Sequence, residues 1–329
     1  MNFLKYYLAI TISLFLIALP VLAGTNLTSK EQVKVGFIYV GPVGDHGWTY
    51  MHDKGRLMVE EKFGDKVKTI YVESVPEGPD AVRIMREMAE SGTDIIFTTS
   101  FGYMDATLKV AKEYPDVMFE HATGYKTADN VSVYSSKFYE GRYIQGVIAG
   151  LMSKEGKAGY IASFPIPEVI RGINSFYLGA TKINPKEAQA AEVLINQGAD
   201  IITQHTDSPA PLQTAAKHNI KGFGQASDMI AFAPDTQLTA IMDDWGPYYI
   251  ARVQAIMDGT WESSDTWGGM NTGMVGMADY TNMPDSVKKL AVSIQHDITE
   301  GVFKPFGTAS IGELLGMSSY IEGIDAAKP

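Results

Sequence analysis

The stretch Val33-Lys34-Val35-Gly36-Phe37-Ile38-Tyr39-Val40-Gly41-Pro42-Val43-Gly44-Asp45-His46-Gly47-Trp48-Thr49-Tyr50 decides the fold. Its first eight residues are a β-branched and aromatic run, and Gly41-Pro42-Val43-Gly44 then turns the chain. From Thr49 to Phe63 the apolar positions Met51, Leu57, Met58 and Phe63 fall on one side of a helix. The same unit recurs downstream. Val67–Val72 reads as a strand and Asp80–Ser91 as a helix with Ala81, Ile84, Met85 and Met88 on one stripe, closed by Gly92. Asp94–Thr98 is a strand, Tyr103–Tyr114 a helix, and Val117–His121 and Val131–Ser135 are strands. Strands alternating with helices at this period imply a parallel sheet covered on both faces.

The pattern then restarts. Arg142–Met152 is a helix rich in small residues, suited to close packing; Lys157–Ala162, Asp200–Thr203, Lys221–Gly224 and Leu238–Met242 read as strands. Glu168–Lys182, Lys186–Gln197, Pro209–His218 and Gly246–Asp258 read as helices, the last with Ile250, Val253 and Met257 inward. Two such α/β halves, with the chain crossing back after Trp245, make a hinged clamp whose ligand sits at the strand C-terminal ends. One feature departs from the pattern. Helix Glu168–Lys182 runs through Ile183-Asn184-Pro185 into helix Lys186–Gln197 with no strand between. Either the two helices form a hairpin, or the second half is one strand short.

Residues 1–23 have the layout of a cleaved secretory signal peptide: Lys5, a nearly unbroken apolar run from Tyr6 to Ala18, Pro20 as helix breaker, and Val21 and Ala23 at the −3 and −1 positions. The alternative is an uncleaved anchor of borderline spanning length. The chain has no cysteine, which excludes lipid attachment, disulfides, Cys–zinc sites and thiol nucleophiles. Removing the leader leaves roughly 300 residues, enough for two domains. A net charge of −11 with no basic stripe excludes nucleic acid as a partner. A freely diffusing periplasmic monomer is expected, without cofactor or metal.

Candidate binding residues cluster at the strand ends. In Gly44-Asp45-His46-Gly47-Trp48-Thr49-Tyr50 the Trp48 face suits stacking on a flat ring, Asp45 suits N–H donors and Tyr50 adds a second aromatic. The competing roles are packing for Trp48 and helix capping for Asp45. Thr98-Thr99-Ser100-Phe101-Gly102-Tyr103 offers the Ser100 hydroxyl with Phe101 and Tyr103 as walls, or else a capped helix start with core aromatics. Thr203-Gln204-His205-Thr206-Asp207 is a polar run directly after a buried strand, an unusual choice for packing. Asp228 follows the next strand end, as ligand group or turn acid, and Trp245 marks a hinge crossing or touches ligand. No Gly-x-Ser-x-Gly elbow, His-Glu-x-x-His pair or Walker loop occurs, and the six histidines are dispersed, so catalysis is not expected. Met270, Met274 and Met277 read as a packing loop.

Several of these motifs together are similar to those of the basic membrane protein family, substrate-binding proteins of ABC transporters that include purine nucleoside receptors. The matching residues are Gly44-Asp45-His46-Gly47-Trp48, Tyr114-Pro115-Asp116-Val117 with Phe119, Tyr139-Glu140-Gly141, Leu151-Met152-Ser153-Lys154, Gln197-Gly198-Ala199-Asp200-Ile201-Ile202 and Ala233-Pro234. The resemblance implies a type I periplasmic-binding-protein fold: two Rossmann-like lobes joined by a three-crossover hinge. The lobes are expected at 24–139 with 245–262 and at 140–244 with 263–329. It implies a purine base or nucleoside as ligand, an aromatic stack at Trp48 and delivery to an ABC permease. Relatives bind ribose with an acid and a lysine. Asp228 matches the acid, but Asp243-Asp244-Trp245 brings no lysine, which favours a free or modified base. Relatives also carry a strand and loop where Asn184-Pro185 stand here, and an additional segment after Phe306. A periplasmic sensor, a nucleoside hydrolase and the sugar-sensing core of a transcription regulator are the alternatives; the last lacks a basic DNA-binding head.

Overall fold

A computed structural model describes residues 29–183, 198–322 and 324. Two open sheets form its frame. The first takes β1 (Val33–Ile38), β2 (Val67–Val72), β3 (Ile95–Thr98), β4 (Met118–Ala122) and β5 (Val131–Ser136), with helices α1 (Trp48–Phe63), α2 (Pro79–Glu90) and α3 (Met104–Glu113) between the first four. The second takes β6 (Ala158–Ile161), β7 (Ile201–Gln204), β8 (Lys221–Gly224) and β9 (Gln237–Asp243), preceded by α4 (Tyr139–Met152) and interleaved with α5 (Pro167–Ile183) and α6 (Ala210–Lys217). After α7 (Gly246–Asp258) come β10 (Asp265–Gly268), β11 (Val275–Met277), α8 (Asp285–Thr299) and α9 (Ile311–Leu315).

The strand orders are β10-β5-β4-β3-β1-β2 and β11-β9-β8-β7-β6, all pairs parallel except β11 with β9. This is the doubly wound architecture that strand–helix alternation demands. β1, β3 and β4 are buried on both faces, as expected of strands covered by helices on each side. The chain passes between the sheets after β5, after β9 and after β10, which gives the three-crossing hinge. The last crossing falls later than the sequence suggests. β10 pairs in register with β5, Asp265 opposite Val133, so the first lobe keeps the chain to Gly268 rather than to 262. Four residues beginning Asp-Thr carry too weak a strand pattern to reveal this.

α4 and α5 pack almost backbone to backbone. A Cβ on Gly146 would stand 2.0 Å from the Phe176 carbonyl oxygen, and one on Gly179 would stand 2.2 Å from that of Tyr143. The small residues of α4 therefore serve the close packing their composition suggests. Met270 and Met274 are buried in the passage to β11, as packing groups. Among the described residues β6 has no strand on its outer side, so the second sheet has five strands against six in the first. The expected helix 186–197 and the expected leader 1–23 lie outside the described residues.

Candidate functional site

The strand ends of the two sheets face each other across a cleft holding a cavity of about 540 Å³. Trp48, at the start of α1, forms one wall. Its indole N–H donates to the Thr99 carbonyl at 2.6 Å. Its ring meets Trp245 edge-on at 5.5 Å and His52 at 4.4 Å. Trp245 is fully buried and stacked on His52 at 4.7 Å. The Trp48 wall of the cleft is thus propped by an aromatic pair outside the cavity lining, and burial keeps His52 neutral by lowering its pKa. Ser100 and Phe101 also line the cavity, with the Ser100 hydroxyl donating to Glu77 at 2.6 Å.

The second lobe contributes the ends of β6, β7 and β8: Ser163–Ile166, His205, Asp207 and Gln225, with Glu168 from α5. His205 Nε2 lies 3.4 Å from a Glu168 carboxylate oxygen, and burial lowers the histidine pKa. Asp207 is solvent-exposed by area, yet the protein crowded around it, with repulsion from Asp45 second, pushes its pKa to about 6. Behind this wall Arg142, wholly buried, donates to the Gln204 carbonyl at 2.7 Å, to Gln145 and to the Gln225 amide oxygen. Its guanidinium lies 5.3 Å from the Tyr160 ring. Asp243, at the end of β9, is also buried; desolvation first and Glu168 second raise its pKa, against the pull of Arg142. Among the described residues the Asp243 carboxylate oxygens, Arg142 Nε, the Tyr160 hydroxyl, Glu168 Oε2 and His205 Nδ1 have no hydrogen-bond partner in the protein. Buried polar groups left unpaired are costly, so the surrounding packing must offset the cost of holding this cluster.

Thr123, in the cavity wall, holds left-handed backbone (φ 58°), as do His46 (φ 61°) and Ala226 (φ 63°) in the turns where the lobes touch. For a β-branched threonine this is costly, and such strain concentrates at binding sites. The lobes also touch. The Trp48 backbone N–H donates to Asp207 at 3.3 Å, the Ser227 hydroxyl donates to the His46 carbonyl, and the His46 ring meets Phe232 at 4.8 Å.

Of the residues read from sequence, Trp48, Ser100, Phe101, His205 and Asp207 meet in the cavity wall. The others take structural positions. Asp45 accepts the Gly47 and Tyr50 backbone N–H groups at 2.8 and 3.0 Å and so secures the start of α1. Tyr50 packs against the His46 ring, and Tyr103 is buried with its hydroxyl on the Val75 carbonyl. Gln204 is buried and accepts from the Thr206 hydroxyl. Asp228 receives the Ile230 N–H and the Gln237 amide, which fixes a short 3₁₀ turn. Trp245 backs Trp48. Sequence reading missed Glu77, Thr123, Glu168, Gln225 and the 163–166 turn. Ser163-Phe164-Pro165 is another strand-to-helix turn and carried the same positional signal.

The profile of the family described as ABC transporter substrate-binding protein PnrA-like matches residues 32–301. The chain belongs to this family. The chain is accordingly the solute-binding component of an ABC importer, taking a small molecule and serving a membrane permease. It is 56% identical to a purine-binding protein of Brucella abortus, an alignment covering 92% of this chain and 95% of that one. It is 34% identical to a Haloferax volcanii protein named for glucose binding in an ABC transporter, over 93% of this chain and 84% of that one. A solute-binding protein of Aeropyrum pernix superposes with a TM-score of 0.72 at 16% identity, covering 83% of this chain and 92% of the other, which supports the two-lobed fold. The family works outside the cytoplasm, and no described helix is long and apolar enough to cross a membrane. No group of three or more His, Cys, Asp or Glu suited to a metal occurs among the described residues.

Proposed function

We propose that this receptor is a periplasmic monomer, released by cleavage after Ala23, that closes on a free or modified purine base. The observation that carries this reading is the lining of this cavity: Trp48, Phe101 and Phe164 as aromatic surfaces, with Glu77, Glu168 and Asp207 as carboxylates and neither Lys nor Arg among the described residues. Carboxylates accept hydrogen bonds from ring and exocyclic N–H groups, and aromatic faces stack on the bicycle. An acidic wall disfavours phosphates, nucleotides and carboxylate ligands. The name of the Brucella relative agrees, and among the described residues no lysine lines the cavity to take ribose hydroxyls.

Isothermal titration of the unfolded, ligand-stripped and refolded protein against adenine, hypoxanthine, guanine, adenosine, guanosine and glucose tests it. One-to-one binding of a base, weaker binding of its nucleoside and no turnover are expected. Binding of glucose with silence from every purine overturns the reading.

A further inference from the structure

The cleft does not end at the wall described above. Phe101, Thr123, Ile166 and Glu168 also border a second cavity of about 460 Å³ that runs toward α9. We propose that this chamber receives an apolar substituent on the base, so that the physiological ligand is a purine carrying an alkyl or aryl group; the inference rests on the purine reading. The two chambers differ in chemistry. The first has Ser100, His205, Asp207 and Gln225, which the second lacks, whereas the second adds Tyr125, Pro167 and Leu315 to the shared Ile166 and Glu168, with Ser135 and Arg171 as its further polar lining. Arg171 and Thr123, two of the polar residues at its border, have bonds elsewhere, whereas Glu168 Oε2 is buried there without a hydrogen-bond partner among the described residues. Arg171 Nη1 donates to the Leu314 carbonyl at 2.6 Å and its guanidinium lies 5.1 Å from the Trp267 ring, while the Thr123 hydroxyl donates to the Ala122 carbonyl at 2.8 Å. A ribose brought here would lose water around its hydroxyls without regaining equal bonds, which penalises it. An apolar group would cover Tyr125, 63% exposed, and Leu315, 37% exposed. Thr123, strained at φ 58°, stands where the chambers meet and shapes the opening between them.

The test titrates the full-length mature protein with adenine, 6-benzylaminopurine, 9-benzyladenine and adenosine. One of the two benzyl compounds is expected to bind about tenfold tighter than adenine or more, the gain of burying a phenyl ring. Leu315→Ser and Tyr125→Ala, both at exposed positions, should remove most of that gain and leave adenine affinity unchanged. Adenine binding with both benzyl compounds weaker, or adenosine preferred to both, overturns the inference alone. Failure of every purine, adenine included, overturns the purine reading and the inference with it.

Discussion

Trp48 owes its position to groups that a ligand never meets: the Thr99 carbonyl holding its indole N–H and the Trp245–His52 stack behind it. If Trp48 stacks on the base as proposed, a surface fixed in this way need not be ordered when the ligand arrives. Trp48→Ala is expected to cost roughly 1–3 kcal/mol of binding free energy, by analogy with base–aromatic stacking; titration of the variant with its best purine checks it. Asp207 sets a pH dependence. Its pKa of about 6 in the fold stands above the usual carboxylate range. The folded protein therefore holds that proton more tightly than the unfolded chain, and this group's contribution to stability falls as pH rises through that window. Its worth to a ligand N–H runs the other way, since only the ionised carboxylate accepts without donating. Affinity should weaken as pH falls through about 6. Asp207→Asn should flatten that dependence, and a titration series over pH decides. Sequence alone could not separate Asp207 from Asp45, because both are acids in polar turns after a strand. Three-dimensional placement turns one to the cleft and the other onto the α1 amides.

Among the elements, the α4–α5 pair and the loop before α1 have least room to adjust. Gly146→Ala drives a methyl carbon to within 2.0 Å of the Phe176 carbonyl oxygen, so the helices must separate. A loss of about 1–3 kcal/mol is expected, as for other overpacked interiors, readable as a lower denaturant midpoint with the slope unchanged. Gly47→Ala acts between lobes: its Cβ would stand 2.5 Å from Asp207 Cα. The first lobe should then be pushed off the second, with affinity falling while each lobe keeps its own packing. A clear drop in ligand affinity without loss of circular dichroism is the expected result. Strand–helix alternation made most of this frame legible, and α4 announced its close packing through its glycines. The short β10 and β11, without a strong period-two pattern, and α8 did not stand out. Arg142 was hidden because nothing in a helix rich in small residues distinguishes a buried guanidinium from an exposed one.

At the scale of the whole molecule, two lobes and three crossings leave a cleft that one ligand can close. Ligand should draw in the lobes, so the radius of gyration in solution scattering should fall with no change in mass. Because ligand binds the folded form alone, stability should rise by about 2.7 kcal/mol at a free concentration a hundred times Kd. A thermal or denaturant melt with and without purine measures it. Adenosine kept with the protein should be recovered intact.

The pairing of β10 with β5 has a consequence for how the chain is born. The first sheet is opened by β1 near the N-terminus, yet its edge stays bare until residues 265–268 arrive. A chain emerging N-terminus first, from a ribosome or through a translocation channel, must carry that unfinished edge through the synthesis of the entire second sheet core. Such long-range closure folds slowly and exposes a strand to wrong partners.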